Sequence, residues 1–353
     1  MKKLLPILLA VCLLLTSCKT QKTAGEPAAE EPTEYTSGFR PIDAIDHCVL
    51  EPDDRAALSD DGMEAYRALM EAMLDREDSV ALGVDSDTVD YLLDLLRQSP
   101  FYYFVSDAVP DGDTVRFTYA YPADEQAEML AFIDGEMLRI SNYQASDDDN
   151  ALDVLFKIYF AVTTDIEYDM ERTDNKQLGS PLFVYPADEV YKTLYTKKGL
   201  CYGFAYVMRF ALLQRGIDCF CVSGLCSQSG SGHEWIIFRW DDAYFHCDPT
   251  WDRVSNGSPK LYHFGKTDSE RFADNITGVA LCSCADPAYE GIACTDDRFS
   301  ILRGVGSFEY LEGHRYQLDD LKGHTAVFDT ETFTIEGSFG TEGTSATEEP
   351  TEI

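Results

Sequence analysis

Gly199-Leu200-Cys201-Tyr202-Gly203-Phe204-Ala205-Tyr206-Val207-Met208-Arg209-Phe210-Ala211-Leu212-Leu213-Gln214 is the stretch on which the fold turns. From Tyr202 to Gln214 it reads as a helix that is apolar nearly all round, so burial is expected. Gly216 stands just past its end, where a left-handed cap residue belongs. Cys201 then falls in the first turn. Unpaired N–H groups and the positive end of the helix dipole favour a thiolate there. A cysteine needs such activation to act as a nucleophile near neutral pH.

Working outward, Ile217 to Ser227, His233 to Trp240 and Ala243 to Trp251 read as three strands. The last two form a hairpin around Asp241-Asp242. If Trp240 pairs with Ala243, His233 faces Thr250, and Asp248 lies two residues along the same face, within diagonal side-chain reach. A slip of one residue would send Asp248 to the opposite face. This register sets an imidazole beside a carboxylate. His233 could then take the proton of Cys201 while Asp248 holds the ring in its working tautomer.

These residues carry a resemblance. Gly199-x-Cys201-x-Gly203-Phe204-Ala205, Arg215-Gly216-Ile217, Val222-x-Gly224, His233-x-Trp235 and Asp248-Pro249-Thr250-Trp251-Asp252 are similar to the bacterial transglutaminase-like domain, over about residues 150–270. The resemblance implies an α+β fold: a papain-like transglutaminase core, with the nucleophile helix packed on an antiparallel sheet, and here an N-terminal α+β extension. It implies Cys201 as nucleophile, His233 as general base and acid, and Asp248 as orienting carboxylate. Tyr191, Tyr202, Trp235 and Trp251 are expected to line the site. Two residues depart from the family pattern. Ile236 stands where an asparagine is frequent. Glu234 stands where a small residue is usual and puts a negative charge near the imidazole, where it is expected to favour the protonated ring or to exclude acidic substrates. The backbone N–H of Cys201 supplies one oxyanion donor by position; no second donor is evident.

The rest of the 353 residues sorts by composition. Lys2 and Lys3, then an apolar run from Leu4 to Leu15, then Thr16-Ser17-Cys18, read as a lipoprotein signal over 1–17 with lipidation at Cys18. The run is too short to span a bilayer. Residues 18–40 read as a flexible tether, and 337–353 as a disordered acidic tail. Between them, 41–140 reads as an N-terminal α+β region. Its helices are expected near Met63–Leu74, Val89–Leu96 and Asp124–Ile133. Phe101–Val105 and Val115–Tyr119 are expected to form a hairpin about an Asp-Gly turn. Residues 145–336 read as the transglutaminase-like domain with a C-terminal extension. The helix from Leu152 to Asp165 opens it, and Asp147-Asp148-Asp149-Asn150 reads as its N-cap region rather than a calcium loop.

The formal charge of −35 argues against nucleic acid as a partner, since phosphates are gripped by clustered Lys and Arg. No cofactor and no metal site is expected. Cys219-x-Cys221 is tighter than the usual zinc spacing, and the pairing of the remaining cysteines is not deducible from sequence. His246 shares a strand face with Asp248 but lacks the following Trp, and is expected to be structural or exposed. The function expected is acyl transfer at amide bonds by an exported thiol enzyme, lipid-anchored to the outer face of the bacterial cell membrane. Its partner would be a peptide or protein substrate, including cell-wall peptide, most simply hydrolysed at peptide or isopeptide bonds. The alternative is an inactive module of the same fold that binds cell-wall or extracellular peptides.

Overall fold

The computed structural model describes residues 39–174, 186–226, 230–253, 259–282 and 292–337. The expected leader, Cys18, nearly all of the tether, Cys284 and the tail beyond residue 337 lie outside these residues. Among the described residues no helix is long and apolar enough to cross a membrane.

The N-terminal part runs α1 (Pro52–Ala57), α2 (Asp60–Leu74), β1 (Ser79–Ala81), α3 (Ser86–Gln98), a 3-10 turn (Pro100–Phe104), β2 (Val105–Asp111), β3 (Thr114–Tyr119) and α4 (Ala123–Ser141). Ser59 and Asp85 start α2 and α3 by accepting backbone N–H bonds from Gly62 and Thr88. Two expectations change here. Phe101–Phe104 is helical rather than extended, because Pro100 opens a 3-10 turn and the Ser99 hydroxyl accepts the Phe101 N–H at 3.2 Å. The hairpin loop is Gly112-Asp113 between paired Asp111 and Thr114. Gly112 takes φ +69° at the first central position, which a two-residue turn of this kind reserves for glycine.

Next come α5 (Ala151–Asp165), β4 (Glu167–Tyr168), α6 (Met170–Asp174), α7 (Pro186–Thr196), β5 (Lys198–Gly199) and α8 (Cys201–Gln214). Asn150 and Asp153 cap α5 reciprocally, as the acidic run suggests. Helix α8 is buried from Gly203 through Leu212, and Gly216 closes it at φ +70°.

The sheet behind α8 contains β6 (Cys219–Cys226), β7 (Gly232–Trp240), β8 (Ala243–Cys247), β9 (Phe264–Lys266) and β10 (Ile276–Leu281). It is antiparallel, in the order β10-β6-β7-β8-β9. Short helices α9 (Pro249–Asp252) and α10 (Asp268–Ala273) flank β9. The register is the expected one: Trp240 opposes Ala243 and Ile236 opposes Cys247. Strand β8 stops at Cys247, however, short of Trp251. Pro249 has no N–H to give a ladder and suits the first position of a helix, so the chain turns into α9 with Asp248 as its N-cap.

Alternation divides the sheet. Cys219, Cys221, Ile236, Phe238 and Cys247 face the main core with α8. Phe220, Val222, Trp235 and Ile237 face a smaller cluster with Ile276 and Cys294. The main core also takes in the N-terminal helices. A buried ion pair joins that region to α8: Arg209 Nη1 meets Glu51 at 2.9 Å, Arg209 Nη2 donates to the Gln98 carbonyl at 3.2 Å, and Glu51 accepts the Cys221 N–H at 3.1 Å.

A four-stranded antiparallel sheet ends the described chain: β11 (Val305–Glu312), β12 (Arg315–Asp320), β13 (Thr325–Asp329) and β14 (Thr334–Glu336). It docks on the start of α5 through fully buried Asp153. That carboxylate lies 2.5 Å from His314 Nδ1 and accepts from the Tyr316 hydroxyl at 3.2 Å and the Thr330 hydroxyl at 2.5 Å.

Candidate active site

The carboxylate of Asp248 divides its work between its two oxygens. As N-cap of α9, Oδ1 accepts the backbone N–H groups of Thr250 at 3.0 Å and Trp251 at 3.3 Å. Oδ2 lies 2.6 Å from His233 Nε2 and accepts from Arg271 Nη2 at 2.7 Å. Burial works against ionisation of Asp248, but His233 and Arg271 outweigh it and hold the carboxyl well below the usual carboxylate range. The α9 turn is itself fixed from below. Fully buried Asp252 accepts the Tyr159 hydroxyl at 2.7 Å and the His263 N–H at 2.7 Å.

Arg271, from α10, is fully buried and lies 4.3 Å from the ring centroids of both Trp235 and Trp251. The His233 ring stacks on Trp251 at 4.6 Å and 13°. One tryptophan thus covers both the guanidinium and the imidazole that share Oδ2. Trp235, expected as a site wall, is wholly buried beneath the pair rather than on a wall; Trp251 is only partly buried. With Nε2 committed to Asp248, Nδ1 is the ring nitrogen left over. Among the described residues no hydrogen bond engages it.

Cys201 is the first residue of α8 and partly buried. The backbone N–H groups of Tyr202 and of Glu234, the residue after His233, face its sulfur. The Gly-x-Cys-x-Gly pattern around it has a packing cause. A Cβ at Gly199 would come within 2.9 Å of Thr193 Oγ1, and one at Gly203 within 2.4 Å. The two glycines let α7 close directly on the thiol's turn. Gly224, opposite His233, is likewise required by the Trp235 ring, 2.9 Å from where its Cβ would be.

The expectation of a thiolate at the helix start is not met by the resting site. Burial, with the charge of Glu234 second, pushes the Cys201 thiol up to about 12, against the pull of the two N–H groups. Glu234 carries that second charge. It leaves β7 on the side of the core shared with α8, and its charge acts on the thiol. Ile236 is simply core.

Tyr202 is placed beside Cys201 and is tied down: Arg172 donates to its hydroxyl at 2.9 Å while gripping Glu189 with two bonds of 2.9 Å. Tyr191 stacks between Tyr103 at 5.2 Å and Tyr195 at 5.7 Å, in an aromatic ladder, and no described contact carries it to the thiol. His246 is structural and buried, not exposed. It accepts from Trp235 Nε1 through Nδ1 at 2.9 Å, and its Nε2 lies 3.0 Å from Asp268.

His246, Asp268 and Cys294 lie close enough to suggest a metal site. The hydrogen bonds argue otherwise. A neutral ring whose Nδ1 accepts the indole N–H must carry its proton on Nε2, which then donates to Asp268. A metal on Nε2 would require an imidazolate. Cys48, Cys201, Cys219, Cys221, Cys226, Cys247 and Cys282 are free thiols.

Arg271 is the site residue that sequence reasoning missed. The one available signal was the capping box Thr267-x-x-Glu270, which places α10 but says nothing of Asp248.

With this geometry in view, residues 139–249 match the family model of the transglutaminase-like superfamily. That stretch is a transglutaminase-like domain. Its span includes Cys201, His233 and Asp248. No curated protein matches the chain. Among solved structures, a transglutaminase matches at 14% identity and TM-score 0.29, covering 47% of this chain and 48% of that one. An arylamine N-acetyltransferase from Bacillus anthracis matches at 12% identity and TM-score 0.27, over 59% and 69% of the two chains. Another, from Bacillus cereus and described as having a Cys-His-Glu catalytic triad, matches at 14% identity and TM-score 0.29, over 58% and 92%. The chain thus spans about half the length of the transglutaminase structure it matches.

Proposed function

We propose that this chain is a thiol enzyme that transfers acyl groups from amides, exported and anchored by lipid on Cys18. The observation that carries the reading is the 2.6 Å bond from His233 Nε2 to Asp248, which leaves Nδ1 as proton acceptor on the strand whose next N–H faces Cys201. In the first half-reaction the sulfur of Cys201 bonds to the carbonyl carbon and His233 Nδ1 takes the thiol proton. The imidazolium is stabilised by Asp248, and the Cys201 N–H stands at the oxyanion. The carbon–nitrogen bond breaks, the amine leaves with the proton from His233, and a thioester remains. Water, deprotonated by His233, then releases the acid and restores the thiol. Hydrolysis of peptide or isopeptide bonds is the favoured outcome because water is the default acceptor.

A second reading has one observation in its favour. A thiol pushed up to about 12 is a poor nucleophile at rest, as in an inactive module that only binds peptides. The pH profile of Cys201 alkylation separates the two. The enzyme reading expects labelling by a thiol-reactive peptide electrophile near pH 7, abolished in Cys201→Ala. Labelling that begins only in strong alkali, or persists equally in Cys201→Ala, rejects it.

A further inference from the structure

Glu234 sits on β7 between His233 and Trp235 but projects the other way. Ile236 and Phe238, on its side of the strand, belong to the core shared with α8, while Trp235 and Ile237 belong to the opposite cluster. Its carboxyl therefore meets the first turns of α8. There it accepts a hydrogen bond from Tyr206, and its charge acts on Cys201. Its second oxygen, Oε2, is shut off from solvent and has no hydrogen-bond partner among the described residues. The nearby cation, Arg209, gives Nη1 to Glu51 and Nη2 to the Gln98 carbonyl, while its Nε, like Glu234 Oε2, has no hydrogen-bond partner among the described residues. A buried carboxylate oxygen without a donor is costly, and a native structure holding one calls for an explanation.

We infer that Glu234 is a specificity-determining residue whose free Oε2 takes a cationic group of the substrate, an ammonium or guanidinium, beside the carbonyl that Cys201 attacks. This rests on the thiol-enzyme reading. A bound cation would also offset the Glu234 charge, which after burial is the second cause holding the proton on Cys201, so that the correct substrate helps to activate its own nucleophile. An anionic group would meet repulsion at the same point.

The test uses the full chain and three methanethiosulfonates, bearing aminoethyl, methyl and sulfonatoethyl groups. Modification of Cys201 is read by peptide mass spectrometry, each rate normalised to that of free N-acetylcysteine. At pH 8.5 the Glu234 carboxyl, which burial pushes up to about 7, is ionised. Glu189 and Arg209 are the other charges facing it. Tyr202, Tyr206 and the thiols of Cys201, Cys221 and Cys282 are raised and neutral there. The cationic-to-anionic rate ratio should fall about tenfold in Glu234→Gln, as expected for removing one unit charge that acts on the thiol. It should stay unchanged in Glu309→Gln, an exposed control for the net negative charge. Should Glu234→Gln not fold, the wild-type ratio itself should climb about tenfold between pH 5.5 and 8.5. A ratio that is the same in Glu234→Gln, or flat with pH, overturns the inference and leaves a protonated carboxyl with no ligand. His233→Gln slows all three reagents alike if the triad reading holds; if it does not, that reading fails while the charge ratio still reports on Glu234.

Discussion

His233 and His246 flank one tryptophan, both are buried and both are bonded to an aspartate, yet only one of them has a nitrogen to spare. His233 spends Nε2 on Asp248 at 2.6 Å and leaves Nδ1 unengaged among the described residues. His246 spends Nδ1 on the Trp235 indole at 2.9 Å and Nε2 on Asp268 at 3.0 Å. A histidine–aspartate pair is therefore not a site in itself. What separates a proton acceptor from a strut is the uncommitted ring nitrogen and what lies in front of it.

The most damaging way to break this comparison is to remove each ring in turn. His233→Gln should lower labelling of Cys201 by a peptide electrophile about 100-fold or more at pH 7, the size expected for losing a general base. His246→Gln should leave it within a few-fold, while denaturant melting records a loss of about 1–3 kcal/mol for the broken buried hydrogen bonds. Equal effects on labelling would erase the distinction.

Arg271→Met sharpens the comparison from the acid side. It strips a buried carboxylate of its cation, a change that typically costs about 3–5 kcal/mol. The Asp248 carboxyl is held low in the folded chain, so its stabilisation is complete above the unfolded value near pH 4 and is lost as pH falls through the lower folded value. The stability gap between wild type and Arg271→Met should accordingly be full at pH 7 and narrow below about pH 4. A gap constant with pH would mean that Arg271 acts through packing alone.

A smaller effect distinguishes the strut. Burial holds His246 below its ordinary value. The neutral ring's contribution is then complete above about pH 6.5 and declines as pH falls. His246→Gln should flatten that decline between pH 7 and pH 5 in thermal melts. Smallest of all is the response to metal. If Nε2 of His246 carries a proton, a chelator such as EDTA and added zinc should both leave the melting temperature unchanged. A rise with zinc would show the His246, Asp268 and Cys294 trio to be a ligand set after all.

How much of this could be read beforehand depended on distance along the chain. The His233–Asp248 pairing followed from hairpin parity alone, because Trp240 opposite Ala243 settles which face each residue takes. The burial of α8 followed from its composition. The exact setting of Asp248 did not, since Pro249 ended the strand and turned the aspartate into a cap. The departure at Glu234 is legible in the sequence, and strand alternation puts its carboxyl on the α8 side, where its charge acts on the thiol. Arg271 was out of reach: its contact with Asp248 spans 23 residues and leaves no periodic trace. The C-terminal sheet did carry a signal, in the alternating burial of Tyr316 and Leu318 and of Ala326 and Phe328. Its strands are short and strongly polar on the other face, which hides them in an acidic sequence.

Asp153 gives that sheet a further meaning. The first turn of α5 holds a fully sealed negative group whose donors come from three points of the last strands and their turns: His314, Tyr316 and Thr330. Proteolytic trimming after Leu302 would strip this charge of those three donors and leave it the capping N–H of Asn150, inside the helix that also supplies Tyr159 to the floor beneath Asp248. The segment is thus a fastener rather than a detachable ornament, and a shortened chain would lose its grip on the thiol's surroundings from the far end.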